Sequence, residues 1–297
     1  MTTDATLRDE RSRGVDVNEI TYGVEIECYV PSGSVTSGGY HRGRQVAGLA
    51  SGWNAQHDSS LGRAPRGYEG VEIVSPILRG AEGLRQINQA IGWLQGLDAR
   101  VNTTCGLHVH VGFPNDRREI TKLLHLVANF ETAIYASTGT KSRETSHWSA
   151  PITDSHRELA FGASDLSGMG HAVRDRYHSL NLTNLIYGSK PTVEFRAFAG
   201  TLNYQKIVGH VRLCVGLVER TLTRTRRTGW DAKTPVATSP IHRNGEGATC
   251  LTRLFYQLGW TKGRVAHTFG NLTGDDLPTI KRSKQALMKM ARKYDQS

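Results

Sequence analysis

Three stretches of this chain place ionisable side chains at every second residue, with apolar residues between them. They are Glu25 and Glu27 in Tyr22-Gly-Val-Glu-Ile-Glu-Cys28, His108 and His110 in Cys105-Gly-Leu-His-Val-His-Val-Gly112, and Glu194 and Arg196 in Thr192-Val-Glu-Phe-Arg-Ala-Phe198. Side chains alternate faces along a strand, so each pair shares one face about 6.6–6.8 Å apart while its apolar partners pack behind it. Carboxylates, imidazoles and a guanidinium are thereby offered to one side of one sheet. That is the layout of a metal-dependent active site rather than of a core.

The remaining pattern supports an α+β fold with a mostly antiparallel sheet. Strands are expected at Ile20–Val30, Gly70–Pro76 and Gly106–Phe113, and at the Glu-x-Arg segment. Helical spacing of Leu84, Ile87, Ile91 and Leu94 predicts an amphipathic helix over Ala81–Leu97. Pro114-Asn-Asp opens a second helix over Arg118–Ala136, and a third runs over Gln205–Thr223. Strands and helices alternate without a βαβ rhythm, which argues against a parallel sheet. Residues 32–51 are rich in Gly and Ser and are expected to form a mobile loop that gates substrate. The expected organisation is a disordered leader over 1–18, a catalytic domain over 19–228, and a basic, partly helical extension over 229–297.

At 297 residues with 38% apolar content, the chain can bury a sizeable core. It contains no run of roughly 20 apolar residues that would span a membrane, and its N-terminus lacks a signal-peptide apolar stretch. The expected compartment is the cytoplasm, with no membrane partner. Four cysteines (Cys28, Cys105, Cys214 and Cys250) without CxxC spacing are too sparse for a disulfide scaffold. A net charge of +10 and a pI near 9.6 leave three causes open: nucleic-acid binding, attraction of anionic substrates such as nucleotides, and solubility. The cations are dispersed; the denser groups, Thr221–Arg227 and Lys281-Arg-Ser-Lys284 with Lys289, Arg292 and Lys293, read as solvated helix faces. No helix-turn-helix or zinc-finger spacing is present, so nucleic acid is not an expected partner.

Carboxylates with one or two imidazoles suit Mg²⁺ or Mn²⁺, hard cations that prefer oxygen. HExxH and Cys-containing zinc sets are absent, although His-x-His also occurs in zinc and iron sites. Arg196 beside Glu194, with Arg143, Arg174 and Arg176 upstream, adds the positive charge that phosphoryl transfer requires. Neither a Walker A motif nor GxGxxG precedes a helix, so a nucleotide must be held by a different fold.

Taken together, Gly23-Val-Glu-Ile-Glu27, Gly106–Gly112 and Val193-Glu-Phe-Arg-Ala-Phe-Ala-Gly-Thr-Leu-Asn-Tyr204 resemble the signatures of the amidoligase family, carboxylate–amine ligases related to glutamine synthetase and glutamate–cysteine ligase. His57-Asp-Ser59, Glu69-Gly-Val-Glu-Ile-Val-Ser-Pro76 and Tyr177-His-Ser-Leu-Asn181 match as well, and the resemblance covers about Thr21–His210. It implies an antiparallel sheet backed by helices, like the glutamine synthetase/guanido kinase catalytic domain. By the same resemblance Glu25 and Glu27 bind two divalent ions, Glu72 (or else Glu69) completes one metal shell, and His108 with Glu194 completes the other. Arg196 then contacts the transferred phosphoryl group, and Arg143 and Arg176 are further phosphate contacts. Asp58 receives and deprotonates the amine, and His110 lines the substrate pocket. The implied cofactors are ATP and Mg²⁺ or Mn²⁺. The implied substrates are a carboxylate and an amine, each a small molecule, peptide or protein side chain, joined through an acyl phosphate. The rival readings are a metal-dependent hydrolase or phosphotransferase on the same scaffold, and a basic nucleic-acid-associated protein with a vestigial site. Residues 230–297 match nothing in the family.

Overall fold

The computed structural model describes residues 19–39, 42–152, 162–163, 165–172, 175–188, 190–223, 245–260 and 271–297. The leader and Arg174 lie outside these residues, as do parts of the Thr221–Arg227 group and of the 229–297 extension.

The strands are β1 (Thr21–Pro31), β2 (Arg44–Gln45), β3 (Asn54–Gln56), β4 (Tyr68–Val74), β5 (Leu78–Arg79), β6 (Gly106–Gly112), β7 (Leu180–Asn181) and β8 (Thr192–Ala199). They form one eight-stranded sheet in the order β2-β3-β4-β1-β6-β8-β7, with β5 added on β1. Every pairing is antiparallel. The helices are α1 (Gly80–Gly96), α2 (Arg117–Ala136), α3 (Leu166–Ala172), α4 (Thr183–Ile186), α5 (Tyr204–Thr223), α6 (Gly247–Gln257) and α7 (Ile280–Asp295). The fold is thus the α+β class expected, and the three long helices begin within one residue of their expected starts.

Alternation along the strands divides the sheet into two chemically distinct faces. Tyr22, Val24, Ile26 and Cys28 of β1, Val71 and Ile73 of β4, Leu107, Val109 and Val111 of β6, and Phe195 of β8 are buried in one apolar cluster with α1, α2 and α5. Full burial of such side chains stabilises the fold by about 1.5–3 kcal/mol each. Helix α1 lies close on β1 because Gly83 has no side chain: a Cβ there would stand 2.5 Å from Tyr22 Oη and 2.7 Å from Leu78 Cβ. Asp116 caps α2 by accepting from Arg118 N at 2.8 Å and Glu119 N at 3.1 Å, which explains why the helix starts after Pro114-Asn.

Helices α6 and α7 pack on α2 and α5. Arg212 of α5 ties the C-terminal segment down from inside: its guanidinium donates to Pro278 O (2.5 Å), Ser283 Oγ (2.8 Å) and Leu272 O. Lys281, Arg282, Lys289, Arg292 and Lys293 are exposed on α7, a solvated basic face. All four cysteines are free and buried. The Gly/Ser-rich 32–51 stretch is partly ordered into β2, which pairs with β3 through Arg44–Ala55 and Gln45–Asn54. No helix among the described residues is long and apolar enough to cross a membrane.

Candidate active site

The face of the sheet opposite the helices gathers the polar residues, and strand register decides which of them meet. Glu25 of β1 stands opposite His108 of β6. Glu27 stands opposite Glu72 of β4, which in turn faces Gln56 of β3, making a row of three. His110 of β6 stands opposite Glu194 of β8, which faces Asn181 of β7, making a second row. Residues directly opposite in antiparallel pairs bring their Cβ atoms to about 4.5–5.5 Å, close enough for shared ligands.

The β6–β8 ladder shifts register between Leu107 and Val109: Leu107 pairs with Phe198, and Val109 with Phe195. Two residues of β8, Arg196 and Ala197, therefore oppose His108 alone, a β-bulge. The bulge keeps Arg196 on the polar face beside Glu194 while Ala197 and Phe198 both enter the core.

His108 occupies the centre of the cluster. Its Nδ1 lies 3.1 Å from Glu25 Oε2, 3.5 Å from Glu194 Oε1 and 4.0 Å from Glu72 Oε1, and its Nε2 lies 3.5 Å from Glu27 Oε1. His110 Nε2 approaches Glu25 Oε1 to 3.0 Å, yet this buried nitrogen makes no hydrogen bond, so the contact is one of distance and charge only. His108 Nε2 is likewise buried without a hydrogen-bond partner. Imidazole nitrogens orphaned beside carboxylate oxygens are what a metal-ligand set looks like without its ion.

Among the described residues, three groups of side chains offer ligand atoms lying within 4.8 Å of one another: Glu25 with Glu72 and His108, Glu25 with His110 and Glu194, and Glu27 with Asp58 and Glu72. Glu25 and Glu72 each belong to two of these groups. The donor set is rich in carboxylate oxygen and suits Mg²⁺ or Mn²⁺. The residues present therefore fit divalent cations.

Electrostatics follow from burial and crowding. Burial alone would raise the Glu25 carboxyl, but the imidazoles of His110 and His108 hold it well below the ordinary carboxylate value. Glu72 behaves oppositely: burial, followed by the negative charge of Glu25, pushes it well above that value. Burial would also raise Glu194, but His110 and Arg196 outweigh it and lower the carboxyl. The His110 imidazole is raised, because Glu25 and Glu194 together outweigh its burial.

Guanidiniums close the β8 side. Arg196 pairs with Glu194 Oε1 and donates from Nε to Trp148 O at 3.1 Å. Arg143, in the turn after α2, donates from Nη2 to Arg196 O at 2.8 Å, and its Nε is buried without a partner. Asp58 lies two residues beyond β3 and accepts from Ser60 N at 2.6 Å.

Two residues named from the sequence stand apart from the cluster. Glu69 shares the strand parity of Val71 and Ile73 and accepts from Gly33 N at 2.8 Å, so Glu72 is the glutamate of β4 that reaches the cluster. Arg176 lies 5.9 Å from the Tyr177 ring centroid, and among the described residues no ion pair joins it to a site carboxylate. His110 and Asp58, expected as pocket lining and amine acceptor, also stand within ligand groups.

Three groups that touch the cluster carry no role in the sequence reading: the Gln56 amide, the Asn181 amide and the Gly106 N–H. Asn181 closes a matched motif, but nothing around Gln56 signals its contact. Only strand order brings it opposite Glu72.

A family model for amidoligase enzymes matches residues 50–218, a range that includes β4, β6 and β8 but not β1. No curated protein matches the chain. Solved structures similar to it include a bifunctional glutathione synthetase from Pasteurella multocida, 10% identical, covering 98% of this chain and 54% of that one, with a TM-score of 0.43. Another is a novel glutamine synthase homolog, 13% identical, covering 97% of this chain and 69% of that one, with a TM-score of 0.40. This chain spans about half the length of the former, and neither likeness is close enough to carry an argument.

Proposed function

Because this chain belongs to the amidoligase family, we propose that it is an ATP-dependent carboxylate–amine ligase. In this reading a substrate carboxylate attacks the γ-phosphate of ATP, and an amine then displaces phosphate from the acyl phosphate to leave an amide. The observation that carries the reading is the convergence of Glu25, Glu27, Glu72, His108 and Glu194 on one sheet face, with the Arg196 guanidinium at its edge. The catalytic unit is residues 19–228 and the extension 229–297, of which the described helices α6 and α7 pack against α2 and α5.

Glu25, Glu27, Glu72, His108 and Glu194 hold the divalent cations, with His110 and Asp58 within reach of the same ions. Bound cations would supply charge neutralisation and Lewis acidity at the phosphates. Arg196 and Arg143 stabilise negative charge as the phosphoryl group is transferred. Arg196 is suited to this because Trp148 O and Glu194 fix its plane, so little reorganisation is needed. Asp58, which is only half-buried and lies on the loop beyond β3, accepts the proton of the incoming amine.

Phosphate release from Mg²⁺–ATP, measured against panels of carboxylates and amines, tests the proposal. Release that needs both substrates, and that falls to background in Glu194→Gln, is the expected result. Full turnover by Glu194→Gln would sink the assignment, and product formed without any amine would transfer it to a hydrolase or phosphotransferase.

A further inference from the structure

Three of the four carboxylates around His108 are buried, and each of these is tethered through Oε2 by one neutral N–H donor. Gln56 Nε2 donates to Glu72 Oε2 at 2.5 Å, Asn181 Nδ2 to Glu194 Oε2 at 2.7 Å, and Gly106 N to Glu27 Oε2 at 2.5 Å. In each case Oε1 is the oxygen turned towards His108, at 4.0, 3.5 and 3.5 Å, and that of Glu194 also accepts from Arg196 Nη1. Glu25 differs: both its oxygens face imidazoles, and no neutral donor holds it among the described residues.

We propose that Gln56 and Asn181 are positioning residues that hold Glu72 and Glu194 each with a single oxygen aimed at the cations, leaving Glu25 free to bridge. The inference rests on the reading of this cluster as a divalent-cation site. Strand register makes the tethers specific, since Gln56–Glu72–Glu27 and Asn181–Glu194–His110 are rows of directly opposed residues. Neutral donors are the right chemistry for the task. A lysine or arginine at position 56 would tether the carboxylate equally well but add a positive charge beside the ions, whereas an amide orients the oxygen without opposing them. The same device recurs in the backbone at Gly106, where a Cβ would stand 3.1 Å from His108 Nε2 and 3.3 Å from Glu27 Oε2. Asn181 is itself fixed, its Oδ1 accepting from Thr183 N at 2.9 Å and Thr183 Oγ1 at 2.7 Å.

The test is Mn²⁺ binding to the full chain, followed by electron paramagnetic resonance of free and bound ion. Gln56→Met keeps the length of the side chain and removes the donor; Asn181→Leu keeps roughly the volume of the side chain, adds no charge and removes the donor to Glu194. Each variant is expected to bind Mn²⁺ about 10–100-fold more weakly, with an altered bound-ion line shape. The thermal midpoint in EDTA should stay near that of wild type, which a merely structural role would not allow. Mn²⁺ affinity within twofold of wild type in both variants would overturn the inference. Loss of affinity accompanied by an equal loss of stability in EDTA would overturn it too, by making the amides structural. If wild type itself binds no Mn²⁺, the cation site fails, and this inference with it.

Discussion

Glu72→Gln should make the protein more stable without cations and less responsive to them. Ligand atoms of Glu72, Glu25 and His108 lie within 4.8 Å of one another, as do those of Glu27, Asp58 and Glu72. At 4.8 Å and an effective dielectric constant of about 20, two unit negative charges repel by about 3.5 kcal/mol. Burial and then the charge of Glu25 raise the Glu72 carboxyl, which favours its neutral form in the ion-free protein. Glutamine mimics this neutral form and can still pair with Gln56, so the expected gain in EDTA is about 1 kcal/mol. The ion-bound state changes in the other direction. A cation at about 100 times its dissociation constant adds about 2.7 kcal/mol to wild type, or roughly 5–10 °C in thermal midpoint for a domain of this size. Glu72→Gln removes a ligand shared by two of the three groups and should lose most of that shift. Thermal midpoints in EDTA and in excess Mg²⁺ or Mn²⁺ measure both effects at once. A variant that loses 2 kcal/mol or more in EDTA would refute the reasoning, because Glu72 would then be stabilising the fold as an anion.

Two further predictions concern the scaffold. Arg212→Met should strand the buried carbonyls of Pro278 and Leu272 and cost about 2–4 kcal/mol by urea unfolding, with amide exchange rising first over 271–283; a loss below about 0.5 kcal/mol would show that α7 does not depend on this anchor. His210 donates from Nε2 to Ser137 O at 3.1 Å, stacks on Phe198, and has its pKa lowered by burial from 6.5 to about 4. A folded value below the unfolded one means that the neutral imidazole stabilises the fold above pH 6.5 and that this contribution is lost as pH falls through about 4. The loss amounts to about 3 kcal/mol. The stability advantage of wild type over His210→Phe should therefore narrow steadily between pH 6.5 and 4; an advantage independent of pH would contradict it.

The amino-acid sequence by itself determined which side chains share a face. Alternation is a property of the extended backbone, so Glu25 with Glu27, His108 with His110, and Glu194 with Arg196 had to project together once their segments became strands. The apolar residues between them likewise had to form the opposite, core-facing side. Helices such as α1 and α2 were legible for a similar reason, since their apolar spacing and the Asp116 cap are local signals. Tertiary structure decided everything that depends on which strands are neighbours. It put β1 between β4 and β6, set Glu72 opposite Glu27, and surrounded His108 with four carboxylates. It also used a bulge to send both Ala197 and Phe198 inward while Arg196 stayed beside Glu194. Gln56 and Asn181 gained their contacts in the same way, across gaps of 16 and 13 residues. Register is set by burying a whole apolar face against the helices, and no local pattern around Gln56 or Arg143 encodes that.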